Sequence, residues 1–65
     1  MLKNQRLDEI LGIIQQEHYI TVSELSARLY ASPATIRRDI ALLEKSGLIV
    51  KSYGGIALAG AIMLT

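Results

Sequence analysis

Leucine and isoleucine recur along most of this chain at helical spacing, and near the C-terminus the spacing turns to that of a strand. Leu7, Ile10, Leu11 and Ile14 form the first stripe, with Ile13 beside it and Arg6, Asp8, Glu9, Gln15 and Gln16 mostly on the other side. That pattern predicts a helix over Gln5–Glu17 with Asn4 as its N-cap. Gly12 lies inside it, where glycine is less favourable than alanine by about 1 kcal/mol; its missing side chain would instead permit a close helix contact. Before Gln5, Met1–Lys3 is expected to be a loose start. Thr21-Val22-Ser23-Glu24 matches a capping box, with Ile20 and Leu25 placed as a hydrophobic staple. A short second helix is therefore expected over Val22–Leu29, with Val22, Leu25 and Leu29 inward. His18 and Tyr19 connect the two helices, and Ile20 is a candidate for a brief strand.

The third run, Ser32–Gly47, has a start, a stop and two unlike faces. Ser32 is a favoured N-cap, Pro33 suits the first helical position, and Gly47 suits a left-handed C′ residue. Lys45 falls in the last turn, where a cation complements the macrodipole. Ile36, Ile40 and Leu43 make the apolar stripe, Ala34, Arg38, Ala41 and Lys45 project opposite it, and Thr35 and Arg37 flank it. After Gly47, Leu48–Tyr53 is rich in strand formers. Gly54-Gly55 is a hairpin-turn signal, and Ile56-Ala57-Leu58 can return as a second strand.

A short helix, a tight turn at Tyr30-Ala31 and a helix with exposed basic residues make a helix-turn-helix, and the hairpin after it makes a wing. The expected fold is mainly α with a small β-hairpin, a three-helix winged helix-turn-helix over residues 1–58. Residues 59–65 form an apolar tail or the start of a linker.

Composition adds bounds. The chain has 65 residues and net charge +1, with no cysteine and a single histidine. A domain this small buries only about 60% of the surface its unfolded chain exposes, so its stability is marginal. Disulfides and thiolate metal sites are excluded, and His18 has no second ligand spaced to join it. No segment reaches the roughly 20 apolar residues of a membrane span. Asp8 and Glu9 interrupt any signal-peptide pattern, so a cytoplasmic location is expected. Ser23, Ser26 and Ser46 have no base partner in view, and nothing resembles a carboxylate pair in a pocket or a phosphate loop. An enzyme is therefore not expected, and no cofactor or metal is assigned.

The candidate chemistry lies on the third helix. Small residues let a helix approach a surface closely, and paired arginines suit phosphates and guanine edges. A solvated basic face would carry the same two arginines. What favours double-stranded DNA is the turn before them and the hairpin after them. A protein-interaction module is the alternative, using Tyr30, Leu42 and Ile62-Met63-Leu64 as an apolar patch, although such a module would place aromatic or aliphatic anchors where Arg37 and Arg38 stand. Arg38 projects most directly from the core and is expected to read a base edge or bridge two phosphates, with Arg37 on the backbone. Asp39 would repel phosphate and is expected to be structural, holding Arg37, Arg38 or a neighbouring helix.

Thr35-Ile36-Arg37-Arg38-Asp39-Ile40, with Leu43-Glu44, Gly47-Leu48 and Gly54-Gly55, closely resembles the N-terminal winged helix-turn-helix of the DeoR family. These are bacterial transcription factors, mostly repressors of sugar and nucleoside catabolic operons. The likeness runs from about Arg6 to Ala57, and Arg6, Ile10 and Ile14 fit the family's first helix. It implies DNA contacts from Ser32, Thr35, Arg37 and Arg38 on the recognition helix and from Lys51 in the wing; Ala34, on the same outer face, and Tyr53, close to the wing tip, join them as candidates by position. Tyr53 replaces the family's usual histidine, Tyr30-Ala31 replaces a small residue and valine, and Leu42 occupies a position usually polar. The resemblance further implies a homodimer or higher oligomer in a longer protein, and a phosphorylated-sugar effector bound by a sugar-isomerase-like domain absent from these 65 residues.

Overall fold

The computed structural model describes residues 3–59, which form α1 (Lys3–Glu17), β1 (Tyr19–Thr21), α2 (Val22–Leu29), α3 (Pro33–Lys45), β2 (Ile49–Ser52) and β3 (Gly55–Leu58). The expected patch at Ile62-Met63-Leu64 lies outside them. The strand order is β1-β3-β2, antiparallel throughout, so the wing is part of a three-stranded sheet. Ile20 is indeed in a strand, and that strand pairs with β3 in the register Tyr19↔Ala57, Ile20↔Ile56, Thr21↔Gly55.

The helical stripes meet as their spacing requires. Ile10 and Ile14 from α1, Leu25 and Leu29 from α2, and Ile36, Ile40 and Leu43 from α3 are buried together with Ile20, Ile49 and Ile56 of the sheet. Each buried aliphatic side chain of this kind contributes about 1.5–3 kcal/mol. These are the main terms holding so small a domain together.

Both expected N-caps, at the starts of α2 and α3, form. The Thr21 hydroxyl accepts from the Glu24 N–H at 3.1 Å, and the Glu24 carboxylate closes back onto that hydroxyl at 3.3 Å. Ser32 accepts from the Thr35 N–H at 3.2 Å with Pro33 next in line. At the far end of α3, Gly47 takes φ +81° and its N–H bonds the Glu44 carbonyl at 3.0 Å.

Three local expectations are corrected. Asn4 is the second residue of α1 rather than its cap, since no Pro or Gly among residues 3–6 halts the helix. Gly12 is exposed, and a Cβ built there meets nothing within 4 Å, so it mediates no helix contact. The hairpin turn is Tyr53-Gly54, not Gly54-Gly55. Both turn residues have positive φ, 41° and 76°, as a type I′ turn requires. Gly55 is instead the first residue of β3, opposite Thr21 and Ser52, because only a residue without a Cβ fits against β1 there.

Candidate nucleic-acid interface

The capped start of α3 presents the predicted residues in the arrangement its periodicity requires. Ser32, Ala34, Arg37 and Arg38 are exposed and Thr35 is half-buried, while Ile36 and Ile40 face the core. The Ser32 hydroxyl is occupied as a cap, since it also donates to the Thr35 hydroxyl at 3.0 Å. Arg37 and Arg38 have no ion-pair or hydrogen-bond partner among the described residues, so both guanidinium groups face solvent.

The two carboxylates of α3 are each answered by a cation from another element. Asp39, only 2% exposed, receives a two-pronged pair from Arg6 of α1: Nε to one oxygen and Nη2 to the other, the latter at 3.1 Å. Asp39 thus holds a neighbouring helix, and not Arg37 or Arg38. The hydrogen bond to Asp39 raises the Arg6 pKa above its ordinary value, so that guanidinium stays charged at any physiological pH. Glu44 lies 3.5 Å from the Lys51 ammonium of β2. Among the described residues, the charge left uncompensated on α3 is therefore entirely positive: Arg37, Arg38 and Lys45.

The wing joins this face through a cleft of about 220 Å³ lined by Val22, Arg37, Ile40, Lys51 and Gly54. Arg37 and Lys51 are brought together across it. Ser32, Ala34, Thr35 and Arg38 lie along the same helix outside its lining. Tyr53 stands at the tip, 96% exposed, and its carbonyl accepts the Tyr19 hydroxyl at 2.8 Å. That bond ties the tip of the wing to β1. A second ion-pair set, Arg28 with Glu17 (3.0 Å for its longer contact) and Glu24 (3.9 Å), bridges α1 and α2.

Sequence reasoning missed the Arg6–Asp39 pair, although its signal is present. Asp39 is three residues after Ile36 and four before Leu43, inside the buried stripe, and Arg6 is four before Ile10. A carboxylate at a core position demands a partner. The glycine-like backbone at His18 (φ 67°) was also unforeseen; Tyr30, in the turn into α3, is left-handed as well at φ 53°.

Among the described residues no cluster of His, Cys, Asp or Glu has metal-binding geometry, and no helix is long and apolar enough to cross a membrane.

Comparison with known proteins gives a consistent result. The DeoR-like helix-turn-helix domain matches residues 6–60. The HTH-type transcriptional regulator GolR of Listeria innocua is 43% identical over 58 residues, covering 89% of this chain and 23% of that protein. The HTH-type transcriptional repressor CsqR of Escherichia coli is 37% identical over 62 residues, 95% of this chain and 24% of the relative. The glycerol-3-phosphate regulon repressor of the same species is 38% identical over 58 residues, 89% and 23% respectively. The chain thus spans about a quarter of the length of the curated relatives it matches. No solved structure matches it.

Proposed function

This chain belongs to the DeoR-like helix-turn-helix family, a family of DNA-binding transcriptional regulators rather than enzymes, and from that premise we propose that it is the operator-reading module of a repressor of carbohydrate catabolism. The observation that carries the reading is the charge pattern of α3. Its two carboxylates are neutralised by cations of other elements, and Arg37 and Arg38 have no partner among the described residues and stand beside small Ala34 on an exposed face. Such a face can enter a major groove without presenting negative charge to the phosphates.

In this reading the N-terminal half of α3 lies in the groove, with Arg38 directed at base edges and Arg37 at the backbone. Ser32 and Thr35 sit at the helix start, where phosphate oxygens meet backbone N–H groups. Lys51 and Tyr53 carry the wing onto the flanking backbone. With a net charge of only +1, one copy binds weakly, and two copies on a two-fold operator supply the affinity. The likeness to the glycerol-3-phosphate regulon repressor favours a phosphorylated sugar or related metabolite as the signal. That signal would reach this module through another domain of a longer protein.

Fluorescence anisotropy on a labelled mixed-sequence duplex at low salt tests the reading. Binding that weakens with added salt, and that Arg37→Ala/Arg38→Ala abolishes without loss of the helical circular dichroism signal, supports it. Binding unchanged in the folded double variant contradicts it. A folded wild type that ignores DNA altogether would favour a protein-interaction module, with exposed Leu42 and Leu48 as its anchors.

A further inference from the structure

We propose that Tyr30, in the turn between α2 and α3, is a DNA-backbone contact whose phenol donates a hydrogen bond to a phosphate oxygen beside the N-terminus of α3. The proposal rests on the DNA reading above and extends its site to a residue of the turn.

Tyr30 combines two unfavourable features. Its backbone is left-handed, φ 53° and ψ 41°, a conformation that glycine and asparagine adopt readily and bulky side chains do not. Its side chain is 96% exposed, so the ring contributes almost nothing to the core, and its hydroxyl has no partner among the described residues. The strain is imposed by the turn and not by the ring. The Tyr30 N–H bonds the Ser26 carbonyl, the Ala31 N–H bonds the same carbonyl at 3.2 Å, and the Ser26 hydroxyl donates to the Ala31 carbonyl. Each of these bonds would survive with glycine in place of tyrosine. The fold therefore gains nothing from this side chain and is burdened by its backbone. A side chain that strains the fold and touches none of it acts outside the fold.

Position identifies what it touches. Tyr30 is two residues before the Ser32 cap and three before Pro33, the first residue of α3. When the start of a recognition helix enters the major groove, the turn leading into it passes the phosphates that border the groove. Phosphate accepts hydrogen bonds from tyrosine hydroxyls readily. Tyr53, equally exposed and also left-handed at φ 41°, repeats the same combination at the wing tip. Two exposed phenols are thus carried on left-handed backbone, one in the turn before α3 and one at the wing tip.

The test compares Tyr30→Phe and Tyr30→Gly with the wild type, by thermal unfolding and by anisotropy on the mixed-sequence duplex. Tyr30→Phe removes only the hydroxyl. It should leave Tm unchanged and weaken binding about three- to tenfold, equally on all sequences as a phosphate contact does. Tyr30→Gly relieves the left-handed strain. It should raise Tm by about 4–8 °C while weakening binding at least as much. Opposite signs for stability and binding are what a merely structural tyrosine cannot produce. Wild-type affinity in both variants overturns the proposal, and so does a lowered Tm in Tyr30→Gly. If the wild type itself fails to bind DNA, the DNA reading falls and this contact with it. Binding by the wild type with no effect of either variant removes the Tyr30 contact alone.

Discussion

Gly55 should be irreplaceable even by alanine, and the reason is steric rather than conformational. Its φ is not in the left-handed region, so the backbone alone would accept any residue. A Cβ there, however, would sit 2.7 Å from the Thr21 Cα and 2.9 Å from the Ile20 carbonyl carbon, and closer still to that carbonyl's oxygen. All three are backbone atoms of β1, so no side chain can rotate away. Restoring ordinary van der Waals contact at 3.4 Å requires β1 to retreat by roughly 0.7 Å or more. That retreat breaks the pairing on either side, where the Val22 N–H bonds Gly54 at 3.1 Å and the Leu58 N–H bonds His18 at 3.0 Å. It also uncovers Ile20, now 1% exposed.

Losing two such bonds at about 1 kcal/mol each, together with the ~1.5–3 kcal/mol of one buried isoleucine, amounts to about 3.5–5 kcal/mol for full detachment. A domain of this size has about 3–10 kcal/mol in all. Gly55→Ala should therefore leave the chain largely unfolded or lower its urea midpoint by more than about 1 M, followed by circular dichroism. Gly12→Ala is the control with the opposite sign: nothing lies within 4 Å of its Cβ position, and it is helical and exposed. It should stabilise by about 0.4–1 kcal/mol. A Gly55→Ala variant within ~0.5 kcal/mol of the wild type would refute the steric reasoning and the pairing of β1 with β3.

Asp39→Ala should lower the urea midpoint far more than Asp8→Ala at an exposed position. A double-mutant cycle with Arg6→Ala should report a favourable coupling between the two side chains; additivity would mean that α3 is not tied to α1 through them. Glu44→Gln releases Lys51 from its 3.5 Å partner. It should raise affinity for any duplex by about two- to fivefold at low salt, read by anisotropy, with the gain erased by Lys51→Ala. The Arg28 hydrogen bond holds the Glu17 carboxyl below its ordinary 4.5. A depressed folded pKa contributes stability above the unfolded value that is lost as pH falls through the folded one. Glu17→Gln should therefore lower Tm slightly at pH 7, where that contribution is fully present, and flatten the decline in Tm below about pH 4.5, so that the two proteins converge in acid.

Most of the helical architecture was legible because its signals are local. The stripe of Ile36, Ile40 and Leu43, the Ser32-Pro33 start and Gly47 give α3 its observed limits, and Thr21 and Glu24 do the same for α2. The basic face was equally legible, since Arg37 and Arg38 lie where helical spacing puts them. What escaped depends on contacts distant in sequence. Gly54-Gly55 reads as a turn until β1 arrives beside it; then the second glycine is needed in the strand, and the left-handed turn falls to Tyr53. Arg6 and Asp39 are 33 residues apart, and their pairing shows in sequence only as two charges inside apolar stripes. Gly12 was over-read, because a glycine in a helix suggests a neighbour that tertiary packing did not supply.

The central claim is that duplex DNA lies on the start of α3 and on the wing. Amide chemical-shift mapping of the ¹⁵N-labelled chain, titrated with an unlabelled mixed-sequence duplex, tests it most directly. The account predicts that the largest shifts fall on Ser32–Arg38 and on Lys51–Gly54, with little change along the acidic groove of α1 formed by Asp8, Glu9, Gly12, Ile13 and Gln16. Shifts concentrated on that α1 face, with α3 unmoved, would contradict it.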